Sequence, residues 1–243
     1  MPKILIGIPT YGKQRYCLDL LIDCIKKQTV KADVIFIVNH GESAYATLIR
    51  SKGFEAVEAP EPSKTRIGNI VNNRKYLRQY ALKKGYDYLL FLDSDIMLPA
   101  RAIEFLLQTK ADVASGAYLS VFQIEGKEVI APVLYKDLGG GDCQQYTYEG
   151  VAQPKLIDIG AAGLGCVLIS RKVLEKVDIR TFGKSSTGGE DIAFFVDARA
   201  NGFKCVAYTG VKCLHMPYPL TDERAKLFEW KTRVKDFNYE LKM

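Results

Sequence analysis

Through the first half of the chain, short apolar runs alternate with stripes of apolar residues at helical spacing. Residues 3–8 form a run that predicts a strand and ends in "PTYGK". Residues 15–27 follow with Leu18, Leu21, Ile22 and Ile25 on one face of a predicted helix. The fully apolar "VIFIV" of residues 34–38 predicts a second strand, ending in the polar loop "NHGES". A short helix at residues 44–51 and a third strand at 54–58 come next, and the prolines of "APEPSK" mark a loop. Residues 66–84 give the longest helix, with Ile67, Ile70, Val71, Leu77 and Ala81 as its buried stripe and Gly85 as its terminator. Residues 88–92 are then a strand whose continuous apolar character predicts a central place, covered on both faces.

The second half has a different texture. A helix is expected after Pro99, and strand-like pieces fall at 113–120, 129–135 and 155–159, separated by Gly-rich turns. "GLGCVLIS" reads as a buried strand leading into a short helix at 171–177. "TFGKSSTGG" reads as a flexible loop, residues 190–201 as a helix stopped by Gly202, and residues 203–208 as a last strand. Strands alternating with helices predict an α/β fold with an open, mainly parallel, Rossmann-like sheet flanked by helices. A single domain over 1–216 is expected, with residues 217–243 as a tail. Within the tail, 221–237 reads as a basic amphipathic helix carrying Leu227, Trp230, Val234 and Phe237 on one side. Such a helix suits an anionic membrane surface, its own domain or a second copy of the chain, and packing is the commoner outcome.

Composition narrows this picture only a little. The 243 residues are 48% hydrophobic and 26% charged, so a sizeable core is no difficulty. A net charge of +6 with scattered Lys and Arg fits an anionic small-molecule substrate and does not indicate nucleic acid. No apolar run reaches the roughly 20 residues of a membrane span, and the opening residues lack the apolar stretch of a signal peptide. The six cysteines show no CxxC spacing, and Cys17 and Cys24 read as small apolar fillers on one helix face. A cytoplasmic protein with reduced thiols is expected, peripheral at a membrane surface if the tail binds lipid.

The chemistry concentrates at the end of the fourth strand, in "YDYLLFLDSDIMLP", residues 86–99. Carboxylates are seldom left at the edge of a core without a partner. Asp93 and Asp95, flanking Ser94, sit where open α/β sheets bind ligands. They either converge on a hard dication such as Mn²⁺ or Mg²⁺ or cap the local turn. His215, just past the last strand, either supplies an imidazole to the same ion or is satisfied by backbone. His40, after the second strand, has less to recommend it. Glu190 and Asp191 open a helix behind two glycines. They suit a general base, but 187–190 also matches a capping box. Arg74, beside Asn73 on the long helix, faces the sheet and needs an anionic partner, either a diphosphate or a structural carboxylate. The Gly-rich stretches lack Walker A or dinucleotide spacing and do not argue for ATP or NAD.

Taken in order, "IGIPTYGK", "NNRKYLRQYALKKGYDYLLFLDSDIMLP", "GLGCVLISRKVLEKV" and "GGEDIAFFVDARANGFKCVAYTGVKCLHM" resemble GT-A fold glycosyltransferases, of the family 2 type, across most of residues 3–215. The resemblance implies a metal-dependent transferase moving a sugar from a nucleoside diphosphate sugar, UDP- or GDP-linked, to a hydroxyl of a glycan, a lipid-linked or a protein acceptor. It implies Asp95 and His215 as metal ligands with Asp93 assisting, and Ser94 within the Asp-x-Asp motif. Asp191 or its neighbour Glu190 would be the base of an inverting reaction. Pro9, Thr10, Tyr11, Asn73 and Arg74 would contact the nucleotide. Asn39 stands where many members carry a base-reading aspartate, so uracil and guanine both remain open. Two alternatives stand beside it. One is a GT-A-like domain that binds sugar nucleotide or glycan without turnover; the other, a Mg²⁺-dependent phosphohydrolase of the haloacid-dehalogenase kind, fits poorly because its motif would lie near the N-terminus.

Overall fold

The computed structural model describes residues 2–124, 126–139, 142–181 and 189–230. The apolar runs of the first half become β1 (Ile4–Thr10), β2 (Asp33–Val38), β3 (Glu55–Glu58) and β4 (Tyr88–Leu92). Between them lie α1 (Leu18–Lys26), α2 (Ser43–Ser51) and α3 (Arg66–Lys83). The helix expected at 15–27 is split: Gly12–Cys17 is a 3-10 helix and α1 starts only at Leu18. Thr65 caps α3 by accepting from the Gly68 N–H at 3.0 Å, and Gly85, at φ +73°, ends it in a left-handed conformation that a glycine adopts without strain.

The second half supplies β5 (Ile96–Met97), α4 (Ala102–Gln108), β6 (Val113–Ala117), β7 (Leu119–Ile124), β8 (Lys127–Pro132), β9 (Leu134–Gly139) and β10 (Asp142–Gln145). After these come β11 (Leu156–Asp158), β12 (Ala161–Ala162), β13 (Cys166–Ser170), α5 (Arg171–Lys176), α6 (Glu190–Ala200), β14 (Cys205–Lys212) and β15 (Leu214–His215). The expected strand at 113–120 is two strands broken at Tyr118, and that at 129–135 straddles the break between β8 and β9. The helix after Pro99 begins at Ala102, following a turn.

One eight-stranded sheet organises the chain, in the order β11-β14-β6-β13-β4-β1-β2-β3. The pairs β1–β2, β1–β4, β2–β3 and β6–β14 are parallel, while β13 runs antiparallel between β4 and β6, and β11 pairs antiparallel on the β14 edge. This is the Rossmann-like, mostly parallel α/β architecture expected from the alternation of elements. Leu89, Leu90, Phe91 and Leu92 of β4 are all completely buried, as a strand covered on both faces requires. The β7–β8 hairpin, the β10-β9-β12 sheet and the β5–β15 bridge stand apart from the main sheet.

α3 departs from its expected stripe. Val71, Leu77 and Ala81 are buried with Asn73 and Arg74, but Ile67 is 43% exposed and Ile70 lines a cleft. The first turns of the helix border the cleft, with Arg66, Asn69 and Ile70 lining it, and the buried residues begin at Val71.

The start of the tail folds against the body. Glu223–Phe228 is a 3-10 helix, in which Ala225 and Phe228 share the buried face and Leu227 is left 51% exposed. The helix ends at Phe228 and the chain is extended at Glu229, so Leu227 does not share a face with Trp230 as the α-helical reading expected. Trp230 is buried and donates from Nε1 to the Cys213 carbonyl at 2.9 Å. Val234 and Phe237, and residues 182–188 of the expected flexible loop, lie outside the described residues. Among the described residues, no helix is long and apolar enough to cross a membrane.

Candidate active site

The C-terminal ends of β1, β2 and β4 open into a cleft of about 650 Å³, with α3 along one side. It takes in Pro9, Thr10 and Tyr11 after β1, Asn39 after β2, Asn73 and Arg74 on α3, Asp93, Ser94 and Asp95 after β4, and Glu190 at the head of α6. Segments far apart in sequence thus converge on the edge where α/β sheets place ligands. His40 does not join them. Its ring is half exposed and Nδ1 faces the Ala59 carbonyl at 3.1 Å, with Glu58 nearby at 3.8 Å.

The turn after β4 is fixed from both sides. Asp93 N–H donates to the Gly165 carbonyl at 3.0 Å, and Met216 N–H donates to the Asp95 carbonyl at 2.7 Å. The Asp93 carboxylate meets Arg74, whose Nη2 donates to Oδ1 at 2.7 Å. Arg74 is 3% exposed and commits its other prong, Nη1, to the Leu164 carbonyl at 2.9 Å. Its Nε lies 3.4 Å from Glu190 Oε1, and its guanidinium rests 5.2 Å from the centre of the Phe91 ring. Burial works against the charge on Arg74, yet Asp93 and Glu190 outweigh it and the guanidinium is held protonated more firmly than usual. Arg74 therefore ties the Asp93 turn to the start of α6. Burial at the base of the cleft pushes the Asp93 pKa up against the pull of Arg74, and the negative neighbours Asp95 and Glu190 add to the rise.

His215 lies across from Asp95, its Nε2 3.7 Å from Oδ2. Nδ1 is 2.8 Å from the Leu119 carbonyl. A carbonyl only accepts, so Nδ1 carries a proton, and Nε2 faces Asp95 with a lone pair in the neutral ring or with a second proton in the imidazolium. Tyr118 and Phe228 hold the ring edge-on, with centroids 5.7 and 5.4 Å away. Burial pulls the imidazole pKa down, but Asp95 more than offsets this and the net direction is upward. Among the described residues, no group of three or more His, Cys, Asp or Glu side chains is arranged to hold a metal ion by itself.

At the head of α6, Gly189 is the N-cap and makes no side-chain cap bond. The helix starts at Glu190, so Glu190 is not the third residue of a capping box, and its carboxylate turns to Arg74 instead. Thr187 lies outside the described residues. Asp191 Oδ1 accepts from the Ile192 N–H at 2.8 Å. Burial, reinforced by the negative charge of Glu190, raises the Asp191 pKa from 3.8 to about 6. A carboxyl group with that pKa can both take and release a proton near neutrality.

Asn39 and Asn73 form an amide pair, with Asn73 Nδ2 donating to Asn39 Oδ1 at 3.0 Å. Seven lining residues carry no signal in the sequence reading: Lys13, Gln14, Ser63, Lys64, Thr65, Arg66 and Asn69. The basic three sit in loops or at a helix start, where a solvated charge gives no signal. Gln14 donates from Nε2 to Asp95 Oδ2 at 2.6 Å and accepts from the Ser94 hydroxyl. Its partners lie some eighty residues away, beyond any local pattern.

The fold, a large mostly parallel sheet flanked by helices with its cleft at the strand ends, is GT-A-like. The crystal structure of A197 from STIV matches it with a TM-score of 0.51 and 19% identity, over 89% of this chain and 87% of that one. Residues 1–349 of S. aureus TarS, a glycosyltransferase whose structure is a complex with UDP-GlcNAc, match with a TM-score of 0.53 and 14% identity. That match covers 85% of this chain and 56% of that one. At these identities the likeness is one of fold. No protein-family model matches the chain, and no curated protein matches it in sequence.

Proposed function

We propose that the protein transfers a sugar from a nucleoside diphosphate sugar to an acceptor hydroxyl, with inversion at the anomeric carbon. One observation carries the reading: the Arg74–Asp93 pair and Glu190 line the strand-end cleft of a GT-A-like fold, and Asp191, with its raised pKa, follows Glu190 at the head of α6. The bound UDP-GlcNAc of TarS is in keeping with a nucleotide-sugar ligand.

The cleft is shaped for an elongated anion. Lys13, Lys64 and Arg66 line it and attract a diphosphate, while Pro9–Tyr11 and the Asn39–Asn73 pair lie where a nucleoside would rest. Asp95 and His215 suit Mn²⁺ or Mg²⁺: a carboxylate oxygen and an imidazole lone pair face each other, and the distal Nδ1–H is anchored on a backbone carbonyl, as ligating histidines are. Two protein ligands are enough where phosphate oxygens and water complete the shell. Bound there, the ion would stabilise the negative charge that develops on the departing nucleoside diphosphate. Asp93, held by Arg74, keeps the turn in place and adds a second negative charge. Asp191 accepts the proton of the acceptor hydroxyl as that oxygen attacks.

The test is a panel of UDP- and GDP-sugars with Mn²⁺, read by thermal shift and by release of nucleoside diphosphate. The reading expects at least one donor to bind and to be slowly hydrolysed in a manner that Asp191→Asn abolishes. Binding without any turnover would leave a sugar-nucleotide-binding domain, and no binding at all would remove the proposal.

A further inference from the structure

The 3-10 helix that follows β1 is clamped to both halves of the site. Gly12 N–H donates to Glu42 Oε2 at 2.7 Å, and the Tyr16 hydroxyl donates to the Met216 carbonyl at 2.5 Å. The Cys17 thiol is shared between the carbonyls of Gln14, at 3.1 Å, and Ser94, at 3.2 Å. Gln14 is therefore presented to the Asp-Ser-Asp turn from a fixed backbone, and its amide engages that turn at both ends. Nε2 donates to Asp95 Oδ2, and Oε1 accepts from the Ser94 hydroxyl. The orientation of the amide is forced, because the flipped form would set Oε1 against the Asp95 carboxylate.

The oxygen that Gln14 holds is the one 3.7 Å from His215 Nε2. We infer that Gln14 is a latch on Asp95: its amide N–H fills the place of positive charge at Oδ2 and is displaced when a dication and a nucleoside diphosphate arrive together. This rests on the metal site proposed above. It adds that the ion alone competes poorly with a short bond to a charged acceptor, while the ion with its diphosphate brings enough extra contact to win. Metal and nucleotide then bind synergistically, each tightening the other by the same factor. The opposite role is also chemically sensible. An amide that stays in place would orient the carboxylate toward the metal, and its removal would then weaken metal binding.

The sign of one measurement separates the two. Mn²⁺ is titrated into the full-length chain by electron paramagnetic resonance of the free ion, without nucleotide and with saturating UDP or GDP, for the native protein, Gln14→Ala and Gln14→Met. Far-ultraviolet circular dichroism confirms folding, and Gln14→Met keeps the bulk of the side chain if alanine does not fold. The latch predicts that both variants bind Mn²⁺ about tenfold more tightly than the native chain, with nucleotide as without it, because the ion must displace Gln14 in either case. Unchanged or weaker Mn²⁺ binding in the variants overturns it. If no form of the protein binds Mn²⁺ with either nucleotide, the underlying metal site fails, and that outcome is distinct from a latch that fails while native Mn²⁺ binding is intact.

Discussion

Replacing Arg74 by methionine keeps much of the side chain's volume and removes its charge. In the native protein the guanidinium is 3% exposed, donates to Asp93 and the Leu164 carbonyl, and lies 3.4 Å from Glu190. Without it, the Leu164 carbonyl loses a buried donor, an effect of about 1–3 kcal/mol. Two carboxylates also lose their counter-charge, and breaking a buried pair from one side costs about 3–5 kcal/mol. These overlap, and Asp93 keeps a third of its side chain in solvent, where water can take over part of the role. A net loss of about 3 kcal/mol near neutral pH results, which in a chain of this length lowers Tm by about 6–12 °C. The pH dependence has a definite sign. The Asp93 pKa is already raised in the fold and rises further without Arg74, so protonation removes the unpaired charge as pH falls. The gap between variant and native protein is therefore widest at high pH and narrows as pH falls through the raised Asp93 pKa. Differential scanning calorimetry across a pH series measures it. A Tm within 2 °C of native at pH 8 would refute the assignment of Arg74 as the buried tie between the two acidic segments.

Other consequences concern activity and the tail. Because Asp191 must be ionised to act as base, transfer should rise through an acid limb centred at about pH 6, and a pH profile of kcat/KM checks this. The same raised pKa makes the protonated Asp191 a stabilising form below about pH 4, and that contribution is lost as pH rises past 6. His215→Ala should weaken Mn²⁺-dependent nucleotide binding by at least tenfold in calorimetry while leaving metal-free binding nearly unchanged. Trp230→Ala removes a buried indole and its bond to Cys213, so urea unfolding should show a loss of about 3–5 kcal/mol. A loss below 1 kcal/mol would mean that this segment docks without stabilising the domain.

What the sequence revealed follows from where patterns are strong. Tyr88–Leu92 is found at the bounds read from its apolar run, because a doubly covered strand tolerates no polar residue between its ends. The cleft's acidic turn was legible as the abrupt stop of that run. By contrast β6 is built from Val113, Ala114, Ser115, Gly116 and Ala117, all buried and mostly small, which carry no period and hide the break before β7. Ile67 falls on the apolar stripe yet is exposed, because a helical stripe says which face is apolar but not which turns face core and which face a cleft. The expected tail helix differs for a related reason: the helical turns stop at Phe228, with Ala225 and Phe228 on the buried face, and the chain is extended at Glu229 before Trp230. Arg74 was read as needing an anion, with diphosphate and carboxylate both open. It is tied to Asp93 and near Glu190, long-range partners that one-dimensional spacing does not reveal.

The central claim is that the Asp93–Asp95 turn, together with His215, forms a dication site facing a nucleoside diphosphate in the cleft. Its most direct test is an anomalous difference map from crystals grown with Mn²⁺ and UDP or GDP. The account predicts a manganese peak within about 2.0–2.3 Å of an Asp95 carboxylate oxygen and of His215 Nε2, with diphosphate oxygens in the same shell. Nucleotide seated in the cleft with no manganese peak beside Asp95 would contradict it.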